Sequence, residues 1–417
     1  VTLRRPALRL FLITLLAAGC SQPTTRYVVP DVTIGERSFA SAVEAHTLSP
    51  LVPGNRVRIL LNGDEIFPAM LAAIRGARTS ITLANYSWQE GAIGDELADA
   101  VARRCRAGVR ASVLVDPVGS HAMPEAAREA MQRAGCHVAT FHDINPLSIR
   151  RLNHRNHRRV LVVDGRVGFT GGTGIGTQWT GDGRRPGHWR QTDVRVEGPI
   201  VRHLQAAFAD TWRDATGILL GGDAYFPDLE TRGRVNAQAV RSSPRSGSTE
   251  AQALFLLAIE GARTSIRIST PHFAPDPDIA AVLLRAAGRG VRVEVLVAGV
   301  VDNFVERVIR RASQRAFGDA LAAGVRIHEY GPALLHAKTV TIDGRWASIG
   351  SINLDSRSFA LNHELNLVVY DAALARRLDG IFLDDLAFAR EVTLESWRHR
   401  GAGRLLEPFI VPFWNLL

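Results

Sequence analysis

The chain of 417 residues is 46% hydrophobic and 22% charged, which allows one large core or two lobes and excludes a disordered or fibrous protein. A formal net charge of +9 turns it toward polyanions, nucleic acid and anionic membrane alike. Among 50 lysines and arginines only Lys338 is a lysine, so a composition that writes its cations as arginine keeps an ammonium at one place.

Residues 1–19 read as a secretory signal: Arg4, Arg5 and Arg9 precede the apolar run Leu10 to Leu16 and the small residues Ala17, Ala18 and Gly19. The run is too short to cross a bilayer comfortably. Leu16-Ala17-Ala18-Gly19-Cys20 resembles the lipobox of bacterial lipoproteins, which implies lipidation of Cys20, export to the periplasmic side and a membrane anchor. Ser21 and Gln22 are compatible with outer-membrane sorting, and the competing reading is an ordinary cleaved signal or an uncleaved anchor. Residues 20–53 read as a tether, and an acyl anchor with a basic surface makes a two-signal attachment. An oxidising compartment allows the remaining cysteines, Cys105 and Cys136, to pair, whereas Cys136 at a strand entry equally reads as an unpaired core thiol. Neither C-x-x-C nor H-E-x-x-H spacing occurs, so no metal and no cofactor is expected.

Gly76-Ala77-Arg78-Thr79-Ser80-Ile81 returns as Gly261-Ala262-Arg263-Thr264-Ser265-Ile266, each time between a helical run and a β-like run. A second helix and a β-rich run follow in both copies, from Asp95 and Val109 in the first and from Asp278 and Val291 in the second. Alternating strands and helices predict an α/β fold of two pseudo-symmetric lobes, residues 54–240 and 241–417, each a mixed, mostly parallel sheet flanked by helices. The Ser/Pro/Gly-rich stretch from Ser242 to Ser248 reads as the joint, and Pro408 to Trp414 as an apolar tail packed on the core or on a membrane.

Each copy then carries a histidine motif. His336-Ala337-Lys338, Asp343-Gly344 and Gly350-Ser351-Ile352-Asn353 form the second, and alternation in a strand puts His336 and Lys338 on one face. A two-residue Asp-Gly hairpin would set His336 opposite Ser351 and Lys338 opposite Ile349. His157-Arg158-Arg159, Asp164-Gly165 and Gly171-Gly172-Thr173 repeat the pattern, with His157 opposite Gly172 and glycine N–H groups open to a phosphate. On turn chemistry Asp164 and Asp343 read as hairpin residues more than as catalysts. Arg150, Arg151, Arg155 and Arg158 around His157 read as a phosphate-attracting mouth, and His154, His203, His272 and His363 as packing or surface residues.

H-x-K-x4-D followed by G-S-x-N resembles the motif of the phospholipase D superfamily, and its duplication resembles the bacterial cardiolipin synthase branch. The resemblance implies one active site at the interface of the lobes and a phosphatidyltransferase working without cofactor. His157 would attack phosphorus to form a phosphohistidine and His336 would protonate the leaving alcohol, the reverse order staying open. Arg159, Lys338, Ser351 and Asn353 would hold phosphoryl oxygens beside Gly172 and Thr173, Asp164 and Asp343 complete the motifs, and Glu364 would orient a histidine. Three features of the first copy depart: Arg159 for Lys, Gly174 for Asn, and Gln191 where the family usually has Asp, with Asp193 as a stand-in for the missing carboxylate. The expected partners are an anionic phospholipid and the membrane surface. Other readings are a phospholipase D hydrolase, an exported nucleic-acid phosphodiesterase, disfavoured because no aromatic residues interleave with the basic cluster, and a low-activity lipid- or phosphate-binding protein. The oligomeric state is not legible in the sequence.

Overall fold

The computed structural model describes residues 27–142, 154–243, 249–301 and 304–399. The proposed signal segment with Cys20, the arginines Arg150 and Arg151, most of the expected joint and the apolar tail from Pro408 lie outside the described residues.

The strands are β1 (Val52–Leu61), β2 (Ser80–Asn85), β3 (Arg110–Val115), β4 (His137–Thr140), β5 (Arg155–Asn156), β6 (Val160–Val163), β7 (Val167–Gly171) and β8 (Thr192–Glu197) in the first copy. The second has β9 (Val235–Ser242), β10 (Ser265–Ser269), β11 (Arg292–Ala298), β12 (Arg326–Tyr330), β13 (Thr339–Ile342), β14 (Trp346–Gly350), β15 (Asn362–Tyr370) and β16 (Ala389–Val392). They form one sheet in the order β16-β12-β11-β10-β13-β14-β15-β9-β1-β8-β7-β6-β2-β3-β4, with β5 attached to β15. Apart from β16 the order reads the same from either edge once each strand is replaced by its repeat counterpart, so a pseudo-two-fold passes between β1 and β9. The second repeat therefore opens with β9 at Val235, ahead of the expected boundary at 240.

The sheet is mixed, as the alternating pattern requires, but it is not mostly parallel. Among the named strands parallel pairing is confined to β2-β3-β4, β10-β11-β12 and the short β5-β15 contact. The motif hairpins and the strands flanking them pair antiparallel, because two-ended hairpins allow nothing else. In β3, Val113 and Val115 enter one core and Leu114 another; in β11, Val293, Val295 and Val297 enter one and Leu296 and Ala298 another. Burial on both faces is why these strands read as unbroken apolar runs. Helix Asn62–Arg75 buries Ile66, Phe67, Met70, Leu71 and Ile74 along one stripe and places Asp64 and Glu65 in its first turn, where carboxylates offset the helix dipole. On the other face helices Val201–Thr216 and Ala372–Leu386 share a core in which Val194, Leu204 and Phe208 of the first copy meet Ile349, Leu365 and Leu378 of the second.

Two expectations are corrected. The tether is partly folded: helix Arg37–Thr47 drives Phe39 and Val43 into the core of the second copy beside Leu254, and Ile34 N–H donates to Gly261 O at 3.3 Å. The hairpin register is shifted by one, since Val163 pairs with Val167 and Ile342 with Trp346, leaving three residues in each loop. Asp164 and Gly165, like Asp343 and Gly344, have positive φ, and Arg166 and Arg345 close the turns by donating to Val163 O and Ile342 O. Lys338 consequently lies beside Gly350, whose N–H reaches Lys338 O at 3.3 Å, and not opposite Ile349.

The left-handed turn aims each aspartate back at the repeated Gly-Ala-Arg-Thr-Ser segment. Asp164 accepts from the N–H groups of Arg78, Thr79 and Ser80 and from Thr79 Oγ1. Asp343 accepts from Arg263, Thr264 and Ser265 N–H and Thr264 Oγ1 in the same way. These carboxylates are saturated at the end of the hairpin away from the histidines. The resemblance counts Asp164 and Asp343 with the catalytic residues of the motif; their contacts among the described residues are those of hairpin residues, the reading that turn chemistry favours.

Cys105, at the end of helix Ala92–Arg106, is disulfide-bonded to Cys136 ahead of β4, with Cα atoms 5.6 Å apart. Closing a loop of 31 residues is expected to contribute roughly 3–4 kcal/mol through the unfolded chain. Cys136→Ser, measured by denaturant unfolding under oxidising conditions, should lose that amount, while reductant should destabilise the unsubstituted protein by the same amount and leave the variant unchanged.

Candidate active site

Both histidines precede the first strand of their hairpin, and each is fastened to the opposite copy. His157 N–H donates to His363 O at 3.0 Å, continuing the β5-β15 contact, and His336 N–H donates to Arg190 O at 2.9 Å. The residue after each of these acceptors then meets the imidazole. Glu364 takes Nδ1 of His157 at 2.8 and 3.0 Å, and the side-chain nitrogen of Gln191 contacts Nδ1 of His336. Glu364 and Gln191 are repeat counterparts, so the copies exchange the groups that orient their histidines.

The two cations also correspond. Lys338 Nζ donates to His336 O and Arg159 Nη1 donates to His157 O, both at 3.0 Å. Lys338 Nζ is also 3.2 and 2.9 Å from the two ring nitrogens of His336, which places it against the face of the imidazole. Arg159 is buried beneath Tyr86, its guanidinium carbon 5.5 Å from the ring centroid, and its Nε meets no partner among the described residues. Tyr86 in turn stands edge-on to His157 at 5.0 Å between centroids. A Cβ added to Gly172 would lie 3.2 Å from both His336 O and Lys338 Cδ, so the glycine of the first motif packs against the cation of the second.

The partners settle tautomers. A carboxylate only accepts, so Nδ1 of His157 carries a proton and a neutral ring presents the lone pair of Nε2. Gln191 Nε2 donates to Gly172 O at 2.9 Å, which fixes its NH2 end toward His336, so Nδ1 of His336 accepts and a neutral ring carries its proton on Nε2. Burial lowers the pKa of His157 to about 4 against the raising effect of Glu364, with Arg159 and Lys338 lowering it further. Burial, then Lys338, Arg159 and His157, hold His336 well below the ordinary histidine value. Both rings are neutral at neutral pH.

Residues 255–386 match the family described as cardiolipin synthase, PLD-like domain. Over 370 residues, 87% of this chain and 76% of the relative, the sequence is 36% identical to cardiolipin synthase A of Pseudomonas putida (strain GB-1). It is 32% identical over 368 residues, 85% and 76% of the two chains, to the major cardiolipin synthase of Bacillus subtilis (strain 168). This chain belongs to the cardiolipin synthase family. The phosphatidylserine synthase of Haemophilus influenzae Rd KW20 has the same fold, with a TM-score of 0.66 at 13% identity over 91% of this chain and 98% of that one. Polyphosphate kinase from Porphyromonas gingivalis shares it with a TM-score of 0.55 at 14% identity, over 85% and 53%.

Within this family member several expected donors have other tasks. Ser351 Oγ donates to Glu364 and accepts from Leu365 N–H, and Thr173 Oγ1 donates to Asp193 at 2.9 Å, so each hydroxyl has spent its one proton away from a substrate. Gly172 N–H is likewise taken by Asp193 at 3.0 Å. Asp193 does not replace a carboxylate at His336, because its oxygen serves Gly172 and Thr173. Asn353 Oδ1 has no partner among the described residues. Arg158 is no part of a phosphate mouth: it is buried and donates to Glu364 O, Ala207 O, Thr211 Oγ1 and Ser242 O and pairs with Asp210. Sequence reasoning missed Tyr86 and Trp179 and gave Trp189 no role, and the rings of all three line the two histidines. It missed Asp116 as well, whose carboxylate accepts Asn156 N–H at 3.0 Å and so steadies the residue before His157. A position just beyond the site end of a β-strand, as Tyr86 and Asp116 have, was the available signal.

The sign of the pH effect follows from the lowered value. The unfolded chain protonates His157 near 6.5 and the folded chain near 4, so between those values the unfolded state binds more protons and folding stability falls as pH falls. His157→Asn should flatten this limb of a plot of Tm against pH, while Glu364→Gln should extend it to lower pH and reduce kcat by about 10²-fold or more, as loss of a carboxylate that orients a histidine does.

Proposed function

We propose that the protein joins two phosphatidylglycerol molecules through a phosphohistidine on His157. The chain is a phosphatidyltransferase of cardiolipin synthase type, and what supports the finer reading is the unequal pair of neutral histidines, one on a carboxylate and one on an amide, beside two buried cations. Nε2 of His157, presented as a lone pair by Glu364, attacks phosphorus, and a carboxylate at Nδ1 offsets the positive charge that the ring gains. The phosphodiester anion, placed among Arg159, Lys338 and His336, favours a second proton on His336. As the N–P bond forms, the P–O bond to glycerol breaks and His336 gives that proton to the departing oxygen. In the second half a headgroup hydroxyl of another phosphatidylglycerol passes its proton to His336 while its oxygen attacks phosphorus and the N–P bond breaks. Arg159 and Lys338 hold the equatorial oxygens, and the Asn353 amide is placed to add a donor.

We assign the exported, lipid-anchored location on the sequence around Cys20, and the disulfide between Cys105 and Cys136 suits an oxidising compartment. The test is purified protein with phosphatidylglycerol vesicles. Cardiolipin and glycerol are the expected products, and phosphatidic acid in their place would make water the acceptor. DNA cut with the lipid untouched would sink the proposal. His157→Ala should abolish turnover, whereas His336→Asn, given a phosphatidyl ester of p-nitrophenol whose leaving group departs without a proton, should accumulate a base-stable phosphatidyl adduct on His157; an adduct on the other histidine in the reciprocal variants reverses the order.

A further inference from the structure

The site opens at one end of the sheet, the end reached by Leu61 of β1, Gly171 of β7, Val115 of β3 and Tyr330 of β12. Of the large hydrophobic side chains left exposed among the described residues, all but Leu48, which lies just ahead of the opposite end of β1, belong to segments at this end. Val118 follows β3 in the loop whose Asp116 grips Asn156 beside His157. Ile218 and Leu219 follow helix Val201–Thr216, which starts at Asn55 on the far end and grips Arg158 with Ala207 and Thr211 on its way up. Leu383 and Phe388 flank Asp385, the ion-pair partner of Arg190 next to Gln191. Tyr27 and Val28 lie where the Tyr27 hydroxyl meets Thr249, near the Asp276 whose carboxylate accepts from Ser356 and whose N–H donates to Leu354 O beside Asn353.

Isolated apolar side chains on a surface need no explanation, but their restriction to one end does. Leu219 is 77% and Val28 96% exposed among the described residues. Basic groups accompany them: Arg184 stacks over Phe388, 4.9 Å from the ring centroid, and Arg185 is exposed next to it. The chain that leads from Cys20 also enters the described structure here, at Tyr27. No helix among the described residues is long and apolar enough to cross a membrane, so contact by loop tips is the form of attachment this end offers.

We infer that this end is a membrane-docking rim, in which Val28, Val118, Leu219 and Phe388 insert into an anionic phospholipid bilayer and set the mouth between His157 and His336 against the headgroups. The inference rests on the proposed phospholipid substrate. The occupant is a bilayer because the rim surrounds the mouth, carries arginine beside its apolar tips and receives the anchor-bearing end of the chain.

The experiment uses the full chain with an environment-sensitive label on Leu219→Cys or, at the opposite end, on the exposed Arg345→Cys, and phosphatidylglycerol vesicles with and without brominated acyl chains. Quenching at 219 and none at 345 is expected; quenching at neither position or at both overturns the rim. Separately, the triple variant Val118→Gln, Leu219→Gln, Phe388→Gln should need about tenfold more vesicle lipid for half-maximal rate, the loss of apolar insertion expressed as a concentration ratio, and keep its rate on a monomeric short-chain phosphatidylglycerol. An equal loss on both substrates overturns the rim. If the unsubstituted protein converts neither substrate, the catalytic reading fails, and the label alone still decides the rim.

Discussion

The exchange of Glu364 and Gln191 between the copies is the constraint on which everything else in the site depends. Neither histidine can be oriented by its own repeat, because the group that meets its Nδ1 belongs to the other, Glu364 on β15 and Gln191 just ahead of β8. The exchange works only if the two sheets are one, and the β1-β9 pairing and the core shared by helices Val201–Thr216 and Ala372–Leu386 make them so. The backbone contacts His157 to His363 and His336 to Arg190 then set each ring within reach of its partner before any side chain chooses a rotamer. A single copy would hold a hairpin, a cation and an unsupported imidazole.

Within that symmetry the first copy has been rebuilt around tryptophan. A Cβ on Gly174, the counterpart of Asn353, would lie 2.6 Å from the indole of Trp179, and that indole stands against Trp189, whose ring is 5.2 Å from His336. An amide donor has given way to an aromatic wall, and only glycine leaves it room. Gly172, the counterpart of Ser351, likewise leaves room for Lys338. The hydroxyl that Ser351 lends to Glu364 therefore has no equal at Gln191, which leans on Gly172 O instead. The glycine departures in the first copy are thus one packing change, and Gln191 is the polar adjustment that goes with it.

The repeat, the α/β class and the two motifs could be read from the sequence because each is written locally, in a six-residue echo or a short spacing. What escaped it has no local signature. The hairpins slipped by one residue because Arg166 and Arg345 extend an Asp-Gly turn that looks complete after two. Asp164 and Asp343 hold their motif spacing for the sake of the Thr-Ser segment some eighty residues away, so the echo and the motif turn out to be two ends of one contact. Arg158 reads as part of a basic cluster, yet the fold turns it inward, where backbone carbonyls and Asp210 compensate a cation that burial alone would disfavour. Glu364 could be named as a histidine partner by resemblance, but no periodicity in the chain says that its histidine is His157.

The choice of an amide at 191 has a chemical consequence that a carboxylate would not have. A carboxylate can serve only a protonated Nδ1 and pulls a second proton onto the ring, as Glu364 does against the burial of His157. An amide carries a donor and an acceptor: with its nitrogen toward His336 it supports the neutral ring, and Gln191 Oε1, buried and without a partner among the described residues, is the atom that could serve the imidazolium. Among the described residues Lys338 and Arg159 both oppose a proton on His336. The one charge able to reverse that balance is the anionic phosphodiester itself. In the proposed mechanism an acid loaded by its own substrate stands beside a nucleophile that a carboxylate keeps oriented, a division of labour that two identical copies could not achieve, and Gln191 is the first-copy departure that meets His336 directly.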